Sequence, residues 1–151
     1  VAAAIVRLAD AVTDALNGGT FSVSFVAVRA WLPVYKLATG DLDTVQVSVA
    51  PMTRESAPAA RGKDLHRHAI EIAVQKELAS ETTLETDVDA LIALVEEIAD
   101  HLTRRTLTAS GMTWHVDGVK VDPVCAFTEL EGSRIFASVI EATYQEWRVA
   151  Q

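Results

Sequence analysis

The chain has 151 residues, half of them apolar, which excludes a disordered polypeptide and suits one domain over residues 1–151 built on a single core. Thirteen basic against 21 acidic residues give a formal net charge of −8, a balance that repels phosphate and argues against sequence-specific nucleic-acid binding. Cys125 is the single cysteine, which leaves no internal disulfide and suits a reducing compartment.

The opening stretch "VAAAIVRLADAVTDAL" is expected to be neither a leader peptide nor a membrane span, because Arg7, Asp10 and Asp14 interrupt it and no basic leader or cleavage site is present. Ile5, Leu8, Val12 and Leu16 recur at helical spacing, and "NGG" at 17–19 offers a glycine for a left-handed helix stop. In "TFSVSFVAVRAWLP" the period changes to two. Phe21, Val23 and Phe25 alternate with serines, the parity shifts at Val26 as at a bulge, and Pro33 ends the run. "TVQVSVAP" reads as a clean strand with Val45, Val47 and Val49 on one side and Pro51 at its end. Residues 52–63, "MTRESAPAARGK", lack any period and read as a long, locally basic loop.

"LHRHAIEIAVQKEL" then places His66, His68, Ile70, Ile72 and Val74 on one face of a strand, antiparallel to the preceding one. "DVDALIALVEEIADHLTRR" predicts a helix whose buried stripe is Val88, Leu91, Ile92, Val95, Ile98 and Leu102, capped by Thr86 with Asp89. "MTWHV" and "VKV" flank Asp117-Gly118, a tight-turn signal, and Asp122-Pro123 breaks the chain again. "SRIFASVIEATYQEWRV" holds no breaker and would make a strand of about 14 residues, roughly 46 Å long, that is bent or projects beyond the body. The order predicts an α+β fold: a mostly antiparallel sheet with two main helices packed on one face, long strands and one long loop.

Signs of chemistry are sparse. His66 and His68 share a strand face and could supply two metal ligands, with His101, His115 or Cys125 as third, yet none of these lies at a spacing that names a site. His101 is expected on the solvent side of its helix. No basic neighbour activates Cys125, and no nucleophile elbow, phosphate loop or dinucleotide fingerprint is present. The second helix carries Glu85, Asp87, Asp89, Glu96, Glu97 and Asp100, with Glu81 ahead of it, and no lysine: a solvated face, or one that lines a channel or meets a basic partner. Trp31 and Tyr35 around Pro33, and Tyr144, Trp147 and Arg148 near the end, combine rings and cations as interface centres do.

The helix ending in "NGG", followed by "VRAWLPVYKLATGDLDTVQVSVAP", "HRHAIEIAVQKEL", "LIALVEEIADHL" and "FASVIEATYQEWR", resembles the tail-terminator (tail-completion) proteins of long-tailed bacteriophages and prophages over nearly the whole chain. The resemblance implies a non-enzymatic structural protein of the virion, made in the host cytoplasm. It would form a homo-hexameric ring at the head-proximal end of the tail tube. The ring would end polymerisation of the tail tube protein and dock the tail to the head-tail connector or stopper protein. DNA would pass through its lumen unbound, with no cofactor, metal or membrane involved. Arg54, Glu55, Arg61 and Lys63, with Trp31, Tyr35, Trp147 and Arg148, are the residues expected at subunit or tube interfaces. The alternatives are a neck or stopper protein of the head-tail connection and, from another class, a metal-dependent hydrolase using His66 and His68.

Overall fold

The computed structural model describes residues 3–30, 44–78, 82–109, 111–126, 130–132 and 134–149. Trp31 and Tyr35 lie outside them. In chain order the elements are α1 (Ala4–Asn17), β1 (Val26–Arg29), β2 (Gln46–Ala60), β3 (Lys63–Glu77), α2 (Leu84–Thr103), β4 (Leu107–Ala109), β5 (Met112–Val121) and β6 (Ile135–Val149). The strands form one sheet in the order β1-β2-β3-β6-β5-β4, antiparallel throughout except for the parallel β1–β2 pair. Helix α1 touches β1 and β2 at one end of that order and β4 at the other, so the sheet curls around it, while α2 packs on β5 and β6. This is the α+β fold that the alternation of periods predicts.

Period explains which residues are inside. Leu8, Val12 and Leu16 of α1 are buried as predicted, together with Ala9. Helix α2 buries Leu91, Leu94, Val95, Ile98 and Leu102, whereas Val88 and Ile92 stay at its margin. Ile70, Ile72 and Val74 of β3 join the same buried cluster as these helices, beside the alternate residues Phe136, Ile140 and Ala142 of β6. Burial of this kind contributes about 25 cal/mol per Å² of apolar surface removed from water and is the main term holding the sheet to its helices.

Several local expectations are corrected. Helix α1 ends at Gly18 in a right-handed conformation (φ −85°), not a left-handed one, with its N–H on the Asp14 carbonyl. Gly19 matters for room: a Cβ there would come within 2.8 Å of the Phe21 ring and 3.0 Å of His101. Residues 20–25 are not a strand. They cross the end of α2, where the Ser22 N–H and hydroxyl both donate to the Glu97 carboxylate, and only Val26–Arg29 pairs with β2. Asn17 holds that short strand at both polar groups of Ala27, accepting its N–H at 2.7 Å and donating to its carbonyl at 3.0 Å. Helix α2 begins after Thr83, whose hydroxyl donates to Asp87, so the expected Thr86–Asp89 cap falls inside the helix. His101 faces α1, with Nε2 3.1 Å from the Ala15 carbonyl oxygen and its ring edge against Phe21. Asp117-Gly118 makes no turn. β5 runs straight through, and the extra residue is taken up as a register shift between Val116 and Gly118 against β6.

The largest correction concerns residues 52–63. They are not a loop: β2 continues past Pro51 to Ala60 and pairs with β3 to its tip. The reversal is the two-residue turn Arg61-Gly62, with Gly62 in the left-handed region (φ 77°) that a side chain resists. The alternation that usually announces a strand is missing because 52–60 is exposed on both faces. The prolines of β2, Pro51 and Pro58, are tolerated because β1 ends at the level of Val49, leaving β2 an edge strand from there on among the described residues.

Candidate functional site

Beyond Arg29 of β1 and His115 of β5, no other described strand flanks β2, β3 and β6, which run on together as a three-stranded arm. β6 keeps register with β3 from Ile135 to Val149 without a shift, so the parity of its side chains holds to the tip. The last strand is therefore as long as its sequence predicts, and it projects. Where β5 and β6 part, a cavity of about 560 Å³ opens between Met112, Thr113 and His115 on one side and Glu146, Trp147 and Arg148 on the other.

The arm's inner face continues the core face, but its chemistry turns polar. His68 is wholly buried opposite Tyr144, and His66 is buried opposite Glu146. His68 Nε2 lies 3.2 Å from Glu146 Oε2. Arg148 donates to both oxygens of the same carboxylate, from Nε at 2.8 Å and from Nη2 at 2.9 Å. His66 Nδ1 is met by Arg54 Nη2 at 3.0 Å and by the Ser56 hydroxyl at 2.9 Å. A carboxylate so buried is held by fork-like charge-assisted bonds of the strong kind. Sequence reasoning missed Glu146. The signal was its even position on β6, which puts it on the same face as Ile140, Ala142 and Tyr144.

Burial lowers the His68 pKa below the ordinary 6.5, against the raising effect of Glu146. Burial also lowers that of His66, helped by Arg148 and Arg54. For Glu146 burial pushes the pKa up, but the bonds from Arg148 and His68 outweigh it and hold the carboxyl below its usual 4.5. A histidine whose folded pKa is depressed stabilises the fold above its unfolded value and loses that contribution as pH falls; a depressed carboxyl behaves in the same sense at lower pH. The melting temperature is therefore expected to fall as pH drops from 7.5 to 5, with a further fall below about 4.5. His68→Leu should flatten the first step. An unchanged slope in that variant would mean that His68 is not held neutral by the fold.

The outer face of the arm is different. In register across it lie Lys63 with Val149, Leu65 with Trp147 and Ala57, and Arg67 with Gln145 and Glu55. Trp147 is 51% exposed and Val149 78%. Of the residues expected at interfaces, Glu55, Lys63 and Trp147 come together here, Arg61 sits at the tip, and Arg54 and Arg148 belong to the inner network. Tyr144, which resembled Trp147 in sequence, is core.

The pieces expected of a metal site are not brought together. His115 points to the opposite face of the sheet from His66 and His68, being opposite Gln145 on β6. His101 is engaged with α1, and Cys125 lies near the other end of β6, where Ala126 N–H bonds the Ala137 carbonyl. A cation at His66 would also sit against the Arg54 guanidinium. Among the described residues no group of three or more His, Cys, Asp or Glu side chains could hold a metal ion, and no helix is long and apolar enough to cross a membrane.

No protein-family description matches the chain, and no curated protein matches it. Among solved structures it is similar to a chain from the virion of a native gene transfer agent particle, at 14% identity and a TM-score of 0.48, over 99% of this chain and 100% of that one. A second solved chain superposes with a TM-score of 0.47 at 15% identity, over 97% of this chain and 96% of its own length. Neither likeness is close enough to carry an argument about this protein.

Proposed function

We propose that this chain is a structural virion protein of the tail-terminator kind. Copies of it form a ring at the head-proximal end of a phage tail tube, end the polymerisation of the tube protein and present a docking face to the head connector. The observation that carries the reading is the arm. Three strands leave the body with two edges that no other described strand covers and a face bearing an exposed tryptophan, which is surface suited to completion by another chain rather than to water. The order of elements that resembles tail terminators supports the same reading, and an acidic body lets DNA slide through a ring without sticking.

Electron microscopy of the purified protein, alone and mixed with tube subunits, tests this. Rings, and tubes that stop growing when the protein is added, are the expected result. A species that stays monomeric in all conditions and leaves tube length unchanged overturns the reading. Capture of a portal-side adaptor in preference to tube protein would turn it into a neck or stopper component.

A further inference from the structure

The arm's outer face and the exposed face of α2 are complementary, and they lie on opposite sides of the sheet. On α2 the acids that reach solvent are Glu85, Asp89, Glu96 and Asp100. At helical pitch these four fall within about 60° of one another around the axis, roughly opposite the buried stripe. Between Asp89 and Glu96 the stripe is interrupted by the half-buried Ile92 and the exposed Ala93. The helix thus shows a small apolar seat with carboxylates at each end, and it contains no lysine or arginine.

The arm shows the converse. Its apolar centre, Trp147 with Leu65 and Ala57, lies between Lys63 on one side and Arg67 on the other. Lys63 and Arg67 are about 13 Å apart along an extended strand, and Asp89 and Glu96 about 10 Å apart along a helix, a difference that long cationic side chains span. Arg67 faces Glu55 across the β2–β3 register and has Asp117 at 3.8 Å, and its side chain stays about half exposed beside both. Residues 52–67 carry four basic side chains against two acidic ones in a chain whose net charge is −8. Because α2 covers the inner face of the sheet and this patch is on the outer face, the two cannot meet within one molecule.

We propose that the outer face of the arm of one copy seats on the acidic face of α2 of the next copy, Trp147 over Ile92 and Ala93, with Lys63 and Arg67 on the flanking carboxylates. The proposal rests on the ring-forming reading and names its contact. Such an interface is head-to-tail, the kind that forms a ring when the rotation between successive copies closes and an open filament when it does not. The exposed ion pairs contribute little affinity individually and set orientation and register, while the tryptophan supplies the buried anchor.

The test is sedimentation velocity and ring counting by electron microscopy at low and high salt. It uses Trp147→Ala, the arm reversal Lys63→Glu with Arg67→Glu, the helix reversal Asp89→Lys with Glu96→Lys, and all four reversals in one chain. These side chains are exposed or nearly so, and thermal melting of each variant checks that the fold is kept. Trp147→Ala and each reversal alone are expected to weaken association by about tenfold or more, and the combined reversal to restore it. Rings that form equally well in the single reversals would overturn this contact and leave the ring reading standing. Wild-type protein that never associates at any salt, alone or with tube subunits, would overturn both. Loss of binding to tube protein without loss of self-association in the arm variants would assign the arm to the tube and also overturn the contact.

Discussion

Replacing Glu146 with alanine is expected to lower the stability of the fold by about 3 kcal/mol, the lower end of the range for breaking a buried ion pair. The carboxylate is almost inaccessible and takes two N–H bonds from Arg148 and one contact from His68. Without it, His68 keeps no partner at Nε2 while its Nδ1 is already buried without one. Arg148 is one-third exposed and can swing into water, which limits the damage. Glu146→Gln should cost less, about 1–2 kcal/mol, since one acceptor oxygen stays in place for Arg148 while the charge and the second acceptor, replaced by an NH2 donor, are lost. Replacing the group as a whole, with His68→Leu, Glu146→Met and Arg148→Leu, should recover most of the loss, because matched apolar side chains do not carry the desolvation cost of ions. Denaturant unfolding at neutral pH measures all three. A Glu146→Ala variant within about 1 kcal/mol of the parent would show that the carboxylate is reached by water in solution. The apolar triple variant also has a functional use. If it is stable but associates poorly, the polar network serves to aim the arm.

How much of this was legible depends on whether a signal reports burial or pairing. Helices α1 and α2, strand β3 and the long β6 were legible because each buries one side against the core and its apolar residues mark that side. The distal half of β2 was not: its residues are ordered by backbone pairing with β3, which leaves no trace in hydrophobic period when neither face is covered. Asp117-Gly118 misled for a related reason. The dipeptide permits a reversal, but β6 offers a partner on both sides of it, so the strand absorbs an extra residue and continues. The two histidines were placed on the right face, yet their partners lie 78 residues away for His68 and 10 and 12 away for His66, and only the β2–β3–β6 register brings those together. The exposed Trp147 and buried Tyr144 could be separated in advance by parity alone, once β6 was known to run unbroken. Trp31 and Tyr35, the other aromatic pair, fall outside the described residues.

The second large effect is expected at the base of the arm, where Tyr144 of β6 and Trp114 of β5 are both fully buried on the core side. Truncating either to alanine should cost about 3–5 kcal/mol, the range for removing a large aromatic from a packed core. The polar atoms of these side chains make a sharper test than the rings. Tyr144 Oη and Trp114 Nε1 are buried without a protein hydrogen-bond partner, and burial pushes the phenol pKa up. A hydroxyl that makes no bond to the protein contributes nothing to offset its desolvation. Tyr144→Phe is therefore expected to be neutral within about 0.5 kcal/mol, or slightly stabilising, even though Tyr144→Ala is among the most damaging single changes. Trp114→Phe should cost about 1–2 kcal/mol, reflecting the smaller ring and no lost bond. If Tyr144→Phe instead costs as much as a satisfied buried hydroxyl, the phenol has a partner in solution. The candidate on the same face is the polar network, whose His68 lies opposite Tyr144, and a double-mutant cycle between Tyr144→Phe and Glu146→Gln would then give a coupling well above the few tenths of a kcal/mol seen between independent sites. In either case the aromatic pair packs the junction from which the arm projects, so the alanine variants should lose the arm's orientation together with the fold, while Tyr144→Phe should leave assembly untouched.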